Sequence, residues 1–425
     1  MNLGTVDLAI IGGGQAGIPL AWAAARQGAT VVLIEKYQLG GSCVNFGCTP
    51  TKAAIASAKV AQMARRAKEY GVNVGTVEVD YGAVLARARG VAAASRNGLD
   101  NSFEGSANPK LIRGHGRLDG REGDFFRIKV GDDSLLAKQV VLNTGTSSEL
   151  PDIDGVDPGA MLNAENWHYS EDRPTHIAMV GGSYIAMEMA QFYRRLGIEV
   201  TVIARSEVLK HEDPDVSSAM CEVLKKEGVR FELNASIHHA EKNRNGYRLT
   251  IQEQEKTSTL DVSHIFAATG RKPNTGDVGL DTVGLEMMPD RTVRVTTTLA
   301  TSVPGIWAAG DIRGHGQFTH TSWDDHRILV SQLFGDRSRT TDRVLPYAIF
   351  TDPELGRVGI TQREAEKSDM QTKTVRFDMS RSGKAAELGE TTGFIKVTIN
   401  QVTREIVGAA VLTANGSELV HTYID

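Results

Sequence analysis

The sequence predicts an α/β protein built from two open, mostly parallel sheet domains and a smaller C-terminal α+β module. Three observations predict it. Near residues 12 and 181 a short apolar strand runs straight into a glycine-rich turn and then into a helix, the sequence form of a βαβ unit. Glycine outnumbers proline by 44 to 12, as a chain with many tight βα turns requires. From about residue 345 the pattern changes to short alternating strands.

The first unit opens with the apolar strand Val6-Asp7-Leu8-Ala9-Ile10-Ile11, followed by Gly12-Gly13-Gly14-Gln15-Ala16-Gly17 and an alanine-rich helix to about residue 27. The next strand, 30–34, ends in Glu35, about twenty residues past the turn. In such a Rossmann-like unit Gly12 makes the tight turn, Gly14 lets the backbone approach a pyrophosphate, and Gly17 lets the helix pack on the strand. The free N–H groups of the helix face the phosphates, and Glu35 takes a ribose hydroxyl. Dinucleotide binding is therefore expected here. Residues 53–103 read as long alanine-rich helices with a connection at 71–80, expected to cover one face of the sheet. Strand and turn signals resume at 111–116, 125–130 and 139–143, Thr144-Gly145 closes the segment, and the Pro, Asp and Gly of 150–157 mark a connection between domains.

The second unit has a strand at 177–180, the turn Gly181-Gly182-Ser183-Tyr184-Ile185-Ala186, a helix through Leu196 and a strand at 200–203. Ser183 and Ala186 stand where the second and third glycines would be, and both are small enough for close backbone approach. The strand ends in Ala204-Arg205 instead of an acidic residue, with Lys210 shortly after. An arginine there suits a 2′-phosphate, as in NADP; the alternative is a solvated surface charge. Strands around Phe231, at 247–251 and at 265–268 complete this domain, which closes at Gly270 and the residues just after it. The chain then returns to the first domain, where the strand Ile306-Trp307-Ala308 delivers Asp311 at a Gly-Asp turn, a partner for a sugar or ribityl hydroxyl. The last module takes strands at 375–377, 393–399 and 406–412.

Residues 40–52, Gly-Gly-Ser-Cys-Val-Asn-Phe-Gly-Cys-Thr-Pro-Thr-Lys, bring two thiols to one helix start. A disulfide between Cys43 and Cys48 needs Cα atoms within roughly 4.4–6.8 Å, so the chain must curl, which Gly47 would permit. Pro50 suits the first turn of a helix, placing Cys48 in the field that favours a thiolate. Cys43 would be the outer, attacking thiol. Lys52 follows one helical turn later on the same face. Zinc would need four Cys or His ligands, whereas the chain has three cysteines and no histidine near the pair; inert packing thiols and a redox pair are the other readings. No metal ligand set is expected.

With 425 residues, 41% of them hydrophobic, and a net charge of −5, the chain reads as an ordinary globular protein of two or three domains, with no basic surface for nucleic acid or membranes. No apolar run approaches the roughly 18 residues of a membrane span, and the first strand starts within a few residues of Met1, so neither a secretory signal nor a transmembrane helix is expected. A cytoplasmic location follows. There a Cys43–Cys48 pair would be catalytic, and Cys221, isolated on a helical stretch at 216–227, a packing residue.

Together these pieces resemble the pyridine nucleotide-disulfide oxidoreductases, the flavoprotein family of dihydrolipoyl dehydrogenase, glutathione reductase and mercuric reductase. The resemblance covers essentially the whole chain and is most specific at 40–52. It implies an FAD-binding domain at 1–149 and 274–344, an NAD(P)-binding domain at 150–273, and an interface or dimerisation domain at 345–425. FAD would lie on Gly12, Gly14 and Gly17, with Glu35 on the adenosine ribose, Gly116 near the adenine, Asp311 on the ribityl chain, Thr319 and His320 near the flavin ring, and Gly145 in the same set. Lys52, paired with Glu188, would approach flavin N5. NADPH would lie on Gly181, Ser183, Arg205, Lys210 and Gly270, with Tyr184 gating the nicotinamide pocket.

Family members normally end in a segment resembling His-x-His-Pro-Thr-x-x-Glu, whose second histidine serves the partner subunit's disulfide, and this sequence stops at Asp425 without it. The interface domain is thus expected to be cut short, and His320, His326 and His421 are the candidates for a substitute. The expected function is transfer of electrons from NADPH through FAD to the Cys43–Cys48 disulfide and on to a small-molecule or metal-ion acceptor, in a homodimer if the C-terminus is complete. The second turn, the Ala204-Arg205 strand end and Gly316-Gln317-Phe318-Thr319-His320-Thr321 look most like mercuric reductases. Dihydrolipoyl dehydrogenase is the alternative, and a flavin-binding redox sensor without turnover is the alternative of another class.

Overall fold

The fold is that of a computed structural model, which describes residues 2–314 and 316–424. Strand β1 (Asn2–Ile11), helix α1 (Gly17–Arg26) and β2 (Val31–Glu35) make the first βαβ unit. The short α2 (Gly41–Asn45), the long α3 (Cys48–Arg66), a 3-10 turn at Ala67–Tyr70 and α4 (Tyr81–Phe103) follow. Next come β3 (Lys110–Arg113), β4 (Gly116–Glu122), β5 (Phe125–Val130), β6 (Asp133–Leu142) and β7 (Thr146–Ser148). The middle of the chain supplies β8 (Leu162–Asn163), β9 (His176–Val180), α5 (Tyr184–Arg195), β10 (Glu199–Ala204), α6 (Pro214–Lys226) and β11 (Arg230–Leu233). A meander of β12 (Ala235–Asn243), β13 (Gly246–Glu253) and β14 (Lys256–Val262) leads to β15 (His264–Ala267), β16 (Arg271–Pro273), β17 (Ile306–Ala308) and α7 (Thr319–Phe334). The C-terminal part holds β18 (Tyr347–Ile349), β19 (Glu354–Gly359), α8 (Gln362–Lys367), β20 (Thr372–Asp378), α9 (Gly383–Glu387), β21 (Phe394–Asn400), β22 (Ile406–Thr413) and α10 (Gly416–Leu419).

Packing divides the chain into two units. The first comprises Met1–Pro50, Arg89–Ser147 and Arg271–Arg343. Its sheet runs β3-β2-β1-β6-β5-β4, with β17 beside β6; pairing is parallel from β3 to β6 and antiparallel through β5 and β4. Alternate residues of β1 and β2 enter different cores. Leu8, Ile10, Val31 and Leu33 pack with Leu20, Ala21 and Ala24 of α1 and Ile328 and Leu329 of α7, whereas Ala9, Ile11, Val32 and Ile34 pack with Leu118, Phe126 and Ile128. Burial on both faces is why these strands read as unbroken apolar runs.

The second unit comprises Thr51–Ala88, Ser148–Gly270 and Val344–Asp425. It contains a parallel sheet ordered β11-β10-β9-β15-β8, the three-stranded meander, and an antiparallel sheet ordered β18-β19-β22-β21-β20. Cys221 is buried in its main core, and burial pushes the thiol up, which suits the packing role expected of it. The helices at 53–103 form with the expected connection, but their packing differs from the expectation. Ala53, Ala54, Ala58, Tyr81, Leu85 and Ala88 join the core of Trp167, Phe192 and Tyr193 in the second unit, and only the end of α4, through Leu99 and Phe103, joins a core of the first. No helix among the described residues is long and apolar enough to cross a membrane.

Candidate active site

In the first unit, Gly12 has φ +110°, and a Cβ there would lie 2.2 Å from the Asn143 carbonyl oxygen; one on Gly17 would lie 2.2 Å from the Gly12 oxygen. The turn is therefore packed so that only glycine fits. Its neighbour Gly13 donates its N–H to Glu35 Oε2 at 2.7 Å, and Tyr37 N–H goes to Oε1 at 2.7 Å, so the carboxylate that ends β2 is held rigidly under the turn. Asn143, which follows β6 and is buried, accepts the Gly17 N–H at Oδ1 (2.9 Å) and donates from Nδ2 to the Ala309 carbonyl (2.8 Å). One side chain thus ties the start of α1 to the segment leading to Asp311. Gly116 fits against the ends of β1 and β2, where a Cβ would meet Ile34 and Ile11 at 3.0 and 3.2 Å, and Gly145, at φ +66°, borders open space.

Asp311 Oδ2 accepts from the Thr146 hydroxyl at 3.1 Å, and Thr146 Oγ1 takes Arg271 Nε at 2.7 Å. Burial pushes the Asp311 carboxyl up, opposed by Arg271, the Thr146 hydroxyl and Arg313. Beside it the fully buried Asp325 accepts the Gly310 N–H at 2.8 Å and pairs with Arg313 at 2.9 Å and Arg343 at 2.5 Å, which fixes the Gly-Asp turn.

The cysteine segment is bonded to the same glycine turn. Gly40 N–H donates to the Gly13 carbonyl at 2.8 Å, Gln15 Nε2 donates to the Gly40 carbonyl at 3.0 Å, and a Cβ on Gly41 would come within 3.0 Å of Gly14 Cα. The left-handed residues here are Gly40 (φ 97°) and Gly41 (φ 61°), not Gly47. At Gly47 the chain does curl: its N–H closes the turn on the Ser42 carbonyl at 2.6 Å, and it is kept small by that oxygen, 3.2 Å from where a Cβ would stand. Buried Asn45 donates to the Leu39 and Gly41 carbonyls, both at 2.9 Å, locking α2. Cys43 lies within α2, and Cys48 is the first residue of α3, both half-buried. Cys48 Sγ lies 3.2 Å from Thr319 Oγ1 at the start of α7. His320 is exposed and its ring stacks on Phe318, 5.6 Å between centroids. His326 is bonded to the Trp323 carbonyl of its own helix, and His421, in the second unit, is exposed.

In the second unit, Gly181 repeats the geometry of Gly12: φ is +116°, and a Cβ would be 2.3 Å from the Ala268 carbonyl. Ser183 is the N-cap of α5, its Oγ accepting the Ala186 N–H at 3.4 Å and donating to the Ala268 carbonyl at 3.1 Å. Tyr184 is half-buried against the main core, and Gly270 takes φ +135° next to Glu149. Arg205 and Lys210 are exposed on the loop after β10, with no ion-pair partner among the described residues. Glu188, only 3% exposed on α5, takes Lys52 Nζ on both oxygens at 3.1 and 2.9 Å and the Phe350 N–H at 2.8 Å, while the Lys52 ammonium lies 4.6 Å from the Phe350 ring. The pairing expected of Lys52 and Glu188 is present. No group of three or more metal-ligating side chains occurs among the described residues.

With this geometry in hand, comparison with known proteins is decisive. Residues 6–325 match the family model of the pyridine nucleotide-disulphide oxidoreductases, and residues 345–424 match that family's dimerisation domain. The chain belongs to this family. It is 31% identical to a dihydrolipoyl dehydrogenase of Chlamydia pneumoniae, over 97% of this chain and 88% of that protein. A mercuric reductase of Staphylococcus aureus is 28% identical over 98% of this chain and 76% of that protein. Among solved structures, the Cu(II) complex of the HOCl-induced flavoprotein disulfide reductase RclA from Escherichia coli superimposes with a TM-score of 0.87 at 26% identity, covering 99% of this chain and 92% of that one. LpdA from Mycobacterium tuberculosis gives 0.89 at 25% identity, with the same coverage.

Members of the pyridine nucleotide-disulphide oxidoreductase family bind FAD and use NAD(P)H. The first unit fits FAD: the Gly12–Gly17 turn is a cradle that any Cβ would fill, and the half-buried acid Asp311 stands just past the end of β17. Reading the sequence missed Asn143 and Asp325, which hold these two halves of the cradle. An amide directly after an apolar strand and an acid at an apolar helical position were the only signals.

Proposed function

We propose that this chain is an FAD-dependent NADPH oxidoreductase whose Cys43–Cys48 pair passes electrons to a soft metal ion, a mercuric reductase-like reaction carried out by a homodimer. The domains would be 1–149 with 274–344 for FAD, 150–273 for NADPH, and 345–425 for the dimer interface. The observation that carries the reading is the anchoring of the cysteine segment to the glycine turn through Gly40 and Gly13, with Cys48 against Thr319. FAD, when bound, would supply two-electron redox chemistry between the nicotinamide and the disulfide. The chain's own residues do the rest. Cys48, at the start of α3, sits in a field that favours its thiolate, and the Thr319 hydroxyl can donate to it. Cys43, half-buried, is the thiol that meets the acceptor. Glu188 takes the Lys52 ammonium on both oxygens, so the lysine that follows Cys48 by one helical turn is held in one orientation.

The soft-ion acceptor draws support from the relatives: one is a mercuric reductase, and a structural neighbour is a Cu(II) complex. Dihydrolipoyl dehydrogenase is the second reading, favoured by identities of 29–31% to several enzymes of that name. The nicotinamide separates them. One charged contact from Arg205 to a 2′-phosphate is worth about 1.5–3 kcal/mol, roughly ten- to a hundredfold in favour of NADPH. Steady-state oxidation of NADPH and NADH with Hg(II), Cu(II) and lipoamide tests the proposal. Fast NADPH turnover with the metal ions is expected. Turnover confined to NADH and lipoamide would make it a dihydrolipoyl dehydrogenase, and FAD binding without turnover would make it a sensor.

A further inference from the structure

The loop after β10 receives a third cation from the C-terminal part of the same unit. Arg363, in the first turn of α8, donates from Nη1 to the Lys210 carbonyl at 3.5 Å and pairs through Nη2 with Glu207 at 3.4 Å. Both contacts are long, and the two side chains are 36% and 46% exposed, so the guanidinium is held loosely. Its backbone is held firmly. Asp213, 4% exposed, accepts the N–H groups of Gln362 (3.1 Å, at Oδ2) and Arg363 (2.9 Å, at Oδ1), and the equally buried Lys396 ammonium lies 2.7 Å from Oδ2. A capping box between Thr361 and Glu364 completes the start of α8.

The charges of the loop explain why such a residue would be needed. Arg205 and Lys210 are the cations expected at a 2′-phosphate, but Glu207 stands between them in the sequence and lowers the net charge of the loop by one. A phosphate monoester carries about two negative charges at neutral pH. Arg363 balances the charge of Glu207 and can swing a planar, two-pronged donor toward a phosphate from a fixed Cα.

We propose that Arg363 is a specificity-determining residue for NADPH, giving up its weak contacts with Glu207 and the Lys210 carbonyl to hold the 2′-phosphate together with Arg205 and Lys210. The inference rests on the NADPH reading above. Its test is calorimetric titration of the FAD-loaded protein with adenosine 2′,5′-bisphosphate and, as control, 5′-AMP. Arg363→Gln should weaken the bisphosphate about three- to tenfold, the range of a partly exposed charged contact, and leave 5′-AMP unchanged. Glu207→Gln should tighten the bisphosphate alone, and Arg363→Lys should recover part of the loss. If Arg205→Ala weakens the bisphosphate but Arg363→Gln does not, the inference falls and the NADPH reading stands. Equal losses for both ligands in Arg363→Gln would reduce the residue to a structural role and overturn it as well. Equal affinity of the unmodified protein for the two ligands would remove the NADPH reading itself.

Discussion

The two glycine turns do the same work with different parts. In each, the first glycine has a positive φ and lies against a carbonyl at the end of a neighbouring strand, Asn143 for Gly12 and Ala268 for Gly181. The helix cap differs. In the first unit α1 has no cap of its own and borrows the Asn143 amide oxygen, which reaches the Gly17 N–H from across the sheet; in the second, Ser183 caps α5 from inside the turn. The exchange accounts for the change of letter in the fingerprint. With the Asn143 amide over the turn, a Cβ on Gly14 would stand 2.9 Å from its oxygen, so glycine is required; with Ala268 in that place, a serine fits. Each turn is also coupled to a further segment, the first through Asn143 Nδ2 and the Ala309 carbonyl, the second through the Gly182 carbonyl, which accepts the Leu209 N–H at 2.7 Å.

The strongest way to break the comparison is to add a methyl group at the first glycine of each turn. Gly12→Ala and Gly181→Ala each force a Cβ into a backbone carbonyl at a left-handed φ, a cost of about 3 kcal/mol or more from strain and overpacking together. Gly12→Ala should purify without flavin. Gly181→Ala should keep its flavin spectrum and lose nicotinamide binding by fluorescence titration. Flavin loss in both would mean that the units are not separable in function.

A smaller effect sharpens the account of Asn143. Asn143→Ala strips the cap from Gly17 and leaves the Ala309 carbonyl unpaired in a buried place, together about 2–3 kcal/mol in urea unfolding. Gly14→Ala alone should be destabilising, but much of its cost should vanish in the Asn143→Ala background, because the clashing oxygen is gone. A double-mutant cycle measures this directly; simple additivity would refute the argument for why that glycine is kept.

Asp311, on the segment that Asn143 holds, adds a pH dependence. Its pKa is raised in the fold by burial, so above the ordinary carboxylate range the native state keeps a proton that the unfolded chain has lost. Stability should therefore fall as pH rises from the normal carboxylate pKa through the raised one. Asp311→Asn should flatten that slope in urea midpoints of the flavin-free protein measured between pH 4 and 7; an unchanged slope would assign it elsewhere.

Much of the fold and part of the site were legible in the sequence, for reasons that can be named. Strands β1, β2, β9 and β10 are buried on both faces and announce themselves as apolar runs, β1 and β9 leading straight into glycine. Strands β12 and β14 show mostly exposed, charged faces, so no run or clean alternation betrays them, and only their partner β13 was foreseen. The alanines of α3 and α4 predict helices but fit equally well against either core, which is why their packing partner was misjudged. Asn143 acts on a residue 126 positions away, and no spacing rule reaches that far. The curl expected at Gly47 also draws on Gly40 and Gly41, the two glycines of the segment with positive φ, and three nearby glycines look alike until φ is known.

The smallest effect is the most discriminating. Ser183→Gly would bring the second turn closer to the glycine fingerprint, and a reading based on the motif alone expects it to be neutral or beneficial. The structure says otherwise. Ser183 has φ −75° and ψ 169°, a conformation any residue adopts, so glycine relieves no strain there. The change removes the hydrogen bonds to Ala186 N–H and the Ala268 carbonyl and adds freedom to the unfolded chain. The loss should be about 0.5–1 kcal/mol, since glycine is itself a tolerable N-cap, and Ser183→Ala should cost slightly more. Thermal unfolding of the second unit, followed with nicotinamide absent, would show the drop. If Ser183→Gly were instead stabilising, the cap in this unit would not come from the serine, and the contrast between the two turns would reduce to a difference in side-chain size.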